Sequence, residues 1–333
     1  MILSICPNPS IDCTIELDSL NVGMLNRIDN KVETYSGKAM NVAVGVARLG
    51  EECLSTGFMF ENHRRMFEHV LDREGVKHDF VVNAGSARVN YKIIDKKSML
   101  TEINDRGEEV SPEKQAELIA KVRELSLGAE IAVMSGSLPK GVKSDFYGKV
   151  LEVIPKDVKV IVDTEKSNML AAIKSREIFM AKPNVKELEA FSGMKVKDRY
   201  DMAEAAKKYL DLGVKNVLVS MGAEGAVLTD GKENYYCKSA SVAVNSTVGA
   251  GDSMIAAACV GLIHGVPMRE LLRRSVAAGT AAVTTSGTNL FYRDKYNEIY
   301  SKAVLKCVRN PPAGGSSAAR GELFLRFFVR FFS

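Results

Sequence analysis

Apolar residues along this chain follow two rhythms. Unbroken runs at residues 2–6, 53–58, 131–134, 158–163, 178–181 and 217–220 lack period-two alternation. Such runs read as strands buried on both faces. Between most of them lie stretches with helical spacing, such as residues 40–49, 112–125 and 202–212. Strand and helix in turn predict a mainly parallel sheet covered by helices on both faces.

Two regions depart from that rhythm. Residues 12–34 and 87–104 alternate apolar and polar positions with no adjoining helix, as in Cys13-Thr14-Ile15-Glu16-Leu17 and Val89-Asn90-Tyr91-Lys92-Ile93. That period belongs to half-exposed strands, so a small β-layer set apart from the main sheet is expected, placed as a lid or a dimer surface. Residues 250–285 read as almost wholly helical, with Pro267 where a second helix begins. After residue 308, Arg309-Asn310-Pro311-Pro312-Ala313-Gly314-Gly315-Ser316-Ser317 reads as a flexible linker. The aromatic and basic segment that follows is left out of the fold, so residues 309–333 are expected to form a tail.

Composition narrows the setting. A chain of 333 residues allows one large α/β domain or two smaller ones. The net charge of +4 is concentrated in residues 309–333, where four arginines face one acid, Glu322. The remainder is nearly neutral, so no broad nucleic-acid surface is expected. The six cysteines are scattered without a CxxC pair, which suggests reduced thiols in a cytoplasmic protein and no zinc. No stretch reaches the ~20 apolar residues of a membrane span, and residues 1–12 carry no signal-peptide pattern, so no membrane partner is expected.

The sharpest local motif is Ser246-Thr247-Val248-Gly249-Ala250-Gly251-Asp252-Ser253 at the opening of a helix. Gly249 and Gly251 allow close backbone approach, and a helix N-terminus offers unpaired N–H donors to an anion. A carboxylate at Asp252 suits either a general base or a helix cap. No Gly-Lys-Ser or Gly-Lys-Thr follows a glycine-rich loop, which excludes a P-loop phosphotransferase. Lys182-Pro183-Asn184-Val185-Lys186-Glu187 follows the strand 178–181. Asn184 and Glu187 form a capping box by spacing, yet Lys182 also suits a nucleotide phosphate, and Asn184 with Glu187 a hydrated Mg²⁺. Ser220-Met221-Gly222-Ala223-Glu224-Gly225 is a turn that could expose backbone to a nucleotide. Toward the N-terminus, Asp12, Lys38 and Asn41 make a plausible sugar-binding set, and Arg88 followed by Lys92 on one strand face suits a phosphate. Each has a plain alternative as a turn residue, a helix start or a protected edge strand.

In this order and at these spacings, the segments 8–12, 37–41, 135–139, 182–187, 220–225 and 246–253 resemble the ribokinase/PfkB family of carbohydrate kinases over residues 1–308. The resemblance implies a ribokinase-like three-layer αβα sandwich with a mainly parallel central sheet and a small β-sheet lid, in one kinase domain. It implies ATP and Mg²⁺, with Asp252 as base and Gly249, Ala250 and Gly251 as the anion hole. Asp12, Gly37, Lys38, Asn41, Arg88, Asn90, Lys92 and Ser137 would hold a sugar phosphate. Lys182, Asn184, Ser220, Gly222 and Gly225 would serve ATP, with Glu187 and Asn184 reaching the metal through water. A homodimer formed through the lid is also implied. Arg88-Val89-Asn90 with Lys92, and Thr101-Glu102-Ile103-Asn104, resemble the subgroup that phosphorylates an already phosphorylated ketohexose. Fructose 1-phosphate is the expected acceptor and tagatose 6-phosphate the alternative, with a non-catalytic sugar-phosphate sensor as a reading of another class. Three departures stand out: Ser36 and Ala39 replace family glycines, and residues 59–64 replace a glycine-rich turn. They are expected to alter the sugar pocket and its rim.

Overall fold

The computed structural model describes residues 1–97, 99–285 and 290–301, and the backbone of residues 307–309. Its strands are β1 (Ile2–Cys6), β2 (Ser10–Leu17), β3 (Asn30–Ser36), β4 (Cys53–Phe60), β5 (Lys77–Asn83), β6 (Arg88–Asp95), β7 (Leu100–Asn104), β8 (Ile131–Ser135), β9 (Lys159–Asp163), β10 (Ile178–Ala181), β11 (Val214–Ser220), β12 (Ala226–Thr229), β13 (Asn234–Cys237) and β14 (Cys307–Arg309). The helices are α1 (Lys38–Arg48), α2 (Arg64–Arg73), α3 (Pro112–Leu125), α4 (Asp145–Glu152), α5 (Lys166–Ser175), α6 (Val185–Ser192), α7 (Arg199–Leu210), α8 (Ala250–Ile263), α9 (Met268–Ala282) and α10 (Arg293–Ser301).

The unbroken apolar runs become the centre of a ten-stranded sheet, ordered β14-β13-β12-β11-β10-β9-β8-β1-β4-β5. From β5 to β11 every pairing is parallel, and only β12, β13 and β14 add antiparallel edges. Central strands such as β1 and β8 are buried at every position, because helices cover both faces. Helices α1, α8, α9 and α10 pack in succession on one another, and α3 to α7 form a second series, which makes three layers with the sheet. Two close approaches fix the spacing. A methyl group on Gly57 would fall 1.8 Å from the Cys6 carbonyl oxygen, and its φ of +138° suits glycine alone. A methyl group on Gly45 would fall 2.7 Å from the Ala256 methyl, so α1 and α8 meet almost backbone to backbone.

The alternating regions form the expected separate layer, a four-stranded sheet ordered β3-β2-β6-β7. Its β2–β6 pair is parallel and its outer pairs are antiparallel. Register aligns Asp12, Asn90 and Asn104 in one row, and Thr14, Lys92 and Glu102 in the next. These rows share one face of the lid.

Several expectations shift. The strand begun at Cys53 runs on to Phe60, and Phe58, Met59 and Phe60 are all fully buried. Residues 59–64 therefore continue a core strand into a short helical turn and make no rim. Ala39 is also fully buried, its carbonyl accepting from the Ser4 hydroxyl at 2.6 Å, so its methyl faces the core. Cys6, Cys13, Cys53 and Cys259 are buried free thiols. Cys237, in backbone register with Cys307 across the β13–β14 pair, is disulfide-bonded, against the expectation of thiols throughout. Arg309 ends β14, and the rest of the expected tail lies outside the described residues. Among the described residues no helix is long and apolar enough to cross a membrane.

Gly45→Val is expected to lower stability by about 1–3 kcal/mol through overpacking. Urea denaturation would read this as a lower midpoint at unchanged slope.

Candidate active site

Parallel strands that carry helices on both faces leave a crevice beyond their carboxyl ends. Here that crevice is a cleft of about 1380 Å³, roofed by the lid, larger than a single small-molecule pocket of ~300–1,000 Å³. All eighteen residues singled out from the sequence line it: Asp12, Gly37, Lys38, Asn41, Arg88, Asn90, Lys92, Ser137, Lys182, Asn184, Glu187, Ser220, Gly222, Gly225, Gly249, Ala250, Gly251 and Asp252. Ala39 and residues 59–64 do not.

The floor is the start of α8. Gly249 sits just before it with φ +77°, a left-handed conformation that glycine adopts without strain. It turns the chain so that the first-turn amides, which lack intrahelical acceptors, open toward the cleft. Asp252 lies in that first turn, 6% exposed, with its Oδ2 accepting from the Asn41 amide at 2.8 Å. Asn41 belongs to α1, so the close α1–α8 packing at Gly45 is what brings the two side chains together. Burial pushes the Asp252 carboxyl up to about 6; Lys38 opposes this, and the negative charge of Asp163 adds to it.

Lys182 follows β10 and is 4% exposed. A methyl on Gly251 would lie 3.0 Å from its Nζ, so the ammonium rests against the glycine cradle. Lys38 opens α1 from the other side of the cleft. Both ammoniums face Asp163, with Nζ–Oδ2 distances of 3.4 Å for Lys38 and 3.6 Å for Lys182. The carboxyl of Asp163 is held below its usual range: burial would raise it, but Lys182 and Lys38 outweigh that. The charge of Asp163 in turn raises the Lys38 ammonium above its ordinary value.

The lid supplies the opposite wall. Asp12 is saturated: it accepts from Ser10 at 3.3 Å, Ser36 at 3.2 Å, Asn90 at 3.1 Å and Lys92 at 3.0 Å. Two carboxylate oxygens offer about four acceptor sites, so a ligand hydroxyl must displace one of these donors. Ser36, expected to alter the pocket, thus meets it through its bond to Asp12. Lys92, expected beside Arg88 at a phosphate, is buried in an ion pair with Asp12. Arg88 donates at 3.3 Å to the carbonyls of Asp105 and Asn8, while its Nε is buried without a partner, as is the Asn90 Oδ1. Ser137 accepts a long bond from Asn8 at 3.4 Å.

Asn184 and Glu187 make the capping box the spacing indicated: Glu187 N donates to Asn184 Oδ1 at 2.9 Å, and Asn184 N to Glu187 Oε2 at 2.8 Å. Oε1 of Glu187 is not part of that box. No cluster of three metal-ligating side chains occurs among the described residues. The Glu187 carboxylate oxygen left outside the box is a donor of the kind a largely hydrated Mg²⁺ ion would take beside substrate phosphates.

Some cleft residues escaped sequence reasoning. Asp163 ends an apolar strand at the carboxyl edge of the sheet, and that placement was a usable signal. Val276, Gly279, Thr280 and Val283, at the end of α9, line the cleft with residue types that read as ordinary core.

Comparison with known proteins agrees with this geometry. The profile of the pfkB family carbohydrate kinases matches residues 7–295. A 1-phosphofructokinase of Vibrio cholerae is 28% identical over 299 residues, covering 90% of this chain and 94% of its own. A tagatose-6-phosphate kinase of Staphylococcus epidermidis is 28% identical over 305 residues, covering 91% and 98%. The crystal structure of phosphofructokinase-2 from Escherichia coli in complex with substrates and products superposes with a TM-score of 0.84 at 29% identity, covering 90% of this chain and 98% of that one. With cradle, buried carboxylate and lid in one cleft, the chain belongs to the pfkB family of carbohydrate kinases and is an ATP-dependent sugar kinase.

Proposed function

We propose that the chain transfers the terminal phosphoryl group of ATP to the 6-hydroxyl of fructose 1-phosphate, giving fructose 1,6-bisphosphate and ADP. The observation that carries this is Asp252, a buried carboxylate beside the glycine cradle and raised to about 6. Near neutral pH it is ionised yet basic enough to take a hydroxyl proton. The proton passes to Asp252, the freed oxygen bonds to phosphorus, and the bond from phosphorus to the ADP oxygen breaks. The amides of Ala250 and Gly251 and the Lys182 ammonium would meet the charge on the equatorial oxygens. Mg²⁺, held by Glu187 and through water by Asn184, would supply further charge neutralisation.

At the acceptor end, Arg88 would turn its unpartnered Nε and fork to the sugar phosphate, and Asp12 would accept from sugar hydroxyls. Ser220, Gly222 and Gly225 would lie along the nucleotide. Relatives named 1-phosphofructokinase support the first acceptor, and the Staphylococcus epidermidis relative supports tagatose 6-phosphate as the second. We also propose a homodimer through the lid, whose outer end and adjoining connection expose Met24, Leu25, Val32, Leu100 and Ile103.

Asp252→Asn is expected to lower kcat by about 10²–10⁴-fold. The wild-type kcat/KM should rise with pH through an acidic limb near 6, because the base form prevails above that value. The stability effect has the opposite sign. A folded value above the unfolded ~3.9 means the wild type loses stability relative to the Asn variant as pH rises from about 4 to 7. Thermal midpoints across that range check it. An ADP-release assay with fructose 1-phosphate, fructose 6-phosphate, tagatose 6-phosphate and ribose should give the highest kcat/KM with the first. Preference for tagatose 6-phosphate would move the assignment, and binding without turnover would make the chain a sensor. Light scattering should report a dimer, and Ile103→Arg a monomer.

A further inference from the structure

The Asp163 carboxylate lies between the two lysines assigned to the two ends of the cleft. It is 1% exposed, and its Oδ2 meets Lys38, Lys182 and Ser135 Oγ at 3.4, 3.6 and 3.4 Å. Its backbone is equally fixed. The Asp163 carbonyl accepts from Gly136 N at 3.1 Å and from Ser135 Oγ at 3.1 Å. The Gly136 carbonyl accepts in turn from Tyr147 at 2.6 Å and Thr164 at 2.9 Å. A carboxylate this rigid, with contacts of 3.4 Å or more to both ammoniums, orients them without consuming them. Shorter, well-formed charge-assisted bonds run ~2.7–2.9 Å, so each lysine keeps donors for an incoming phosphate.

We propose that Asp163 is a positioning residue, a shared counter-charge that holds Lys38 and Lys182 apart and aimed into the cleft until phosphate oxygens take them over. In its absence the buried Lys182 ammonium would face the half-exposed Lys38 ammonium with no counter-charge between them, and Lys38 would be free to pair with Asp252, whose charge it already feels. Such a pair would hold the base in its charged form and leave it a weaker proton acceptor. The groups around Asp252 are Lys38 and Asn41 from α1, Asp163 from β9 and Lys182 after β10. Loss of Asp163 removes a negative neighbour and strengthens a positive one, so both changes lower the Asp252 value. The idea rests on the phosphoryl-transfer reading of the cleft, but anion binding tests it without turnover.

The experiment compares wild type with Asp163→Asn on the full chain. Sulfate should bind the variant more tightly, by roughly tenfold as read from the concentration dependence of the thermal midpoint. The kcat should fall by about 10²-fold, the cost of a small misplacement, and the acidic limb of kcat/KM should move to lower pH. Unchanged sulfate affinity with an unmoved limb would overturn the proposal. So would a raised Mg²⁺ requirement as the only effect, which would make Asp163 a metal ligand. Should Asp163→Asn fail to fold, Ser135→Ala loosens the same carboxylate. A smaller shift of the same sign in sulfate affinity and pH limb supports the proposal, and no shift in either overturns it.

Discussion

Two carboxylates and two ammoniums share the floor of the cleft, and the rest of the site depends on their mutual compensation. Asp163, Lys182 and Asp252 are buried, and each alone would be costly to bury, while Lys38 remains half exposed at the mouth of the group. Together, Asp163, Lys38, Lys182 and Asp252 sum to no net charge when both carboxyls are ionised, an arrangement that the proposed phosphoryl transfer would use by meeting a triphosphate with lysines already positioned. The main sheet makes this possible, since β9 and β10 deliver Asp163 and Lys182 at neighbouring carboxyl ends. Helices α1 and α8 then bring in Lys38, Asn41 and Asp252 from the amino ends of two tightly packed cylinders.

Much of this was legible in the sequence because its carriers are local. A glycine pair opening a helix, a lysine directly after a buried strand and an Asn-x-x-Glu box are each defined within a few residues, and each lies where its spacing put it. Arg88 and Asn90 were legible through the period-two alternation of their strand. What was not legible depended on neighbours distant in sequence. Lys92 looked like a free cation until Asp12, 80 residues earlier, was seen to hold it. Ala39 was expected at the pocket beside Gly37 and Lys38, which do line the cleft, but the helical turn rotates it into the core. Residues 59–64 looked like a rim because the strand before them was read as two residues too short.

The polar surface of the lid is satisfied largely within itself. Asp12 is fully engaged by four donors, and two of them, Ser36 and Asn90, come from different flanking strands. Under the proposed role of Asp12, exchange of one donor for a sugar hydroxyl would alter the bonding of the lid without breaking its ladder. Arg88 is held by two long bonds to backbone carbonyls, weaker than the charge-assisted bonds that the proposed phosphate would offer it.

The path of the chain through the lid has a further consequence. The backbone passes between lid and main body at four points: from β1 into β2, from β3 into α1, from β5 into β6, and from β7 toward α3. Two passages lead in and two lead out, and none is a terminal extension. No single cut of the chain releases this sheet, and no truncation removes it without also severing the body. The lid is sewn into the enzyme at four places, so protease nicking at any one of them should leave the roof in position.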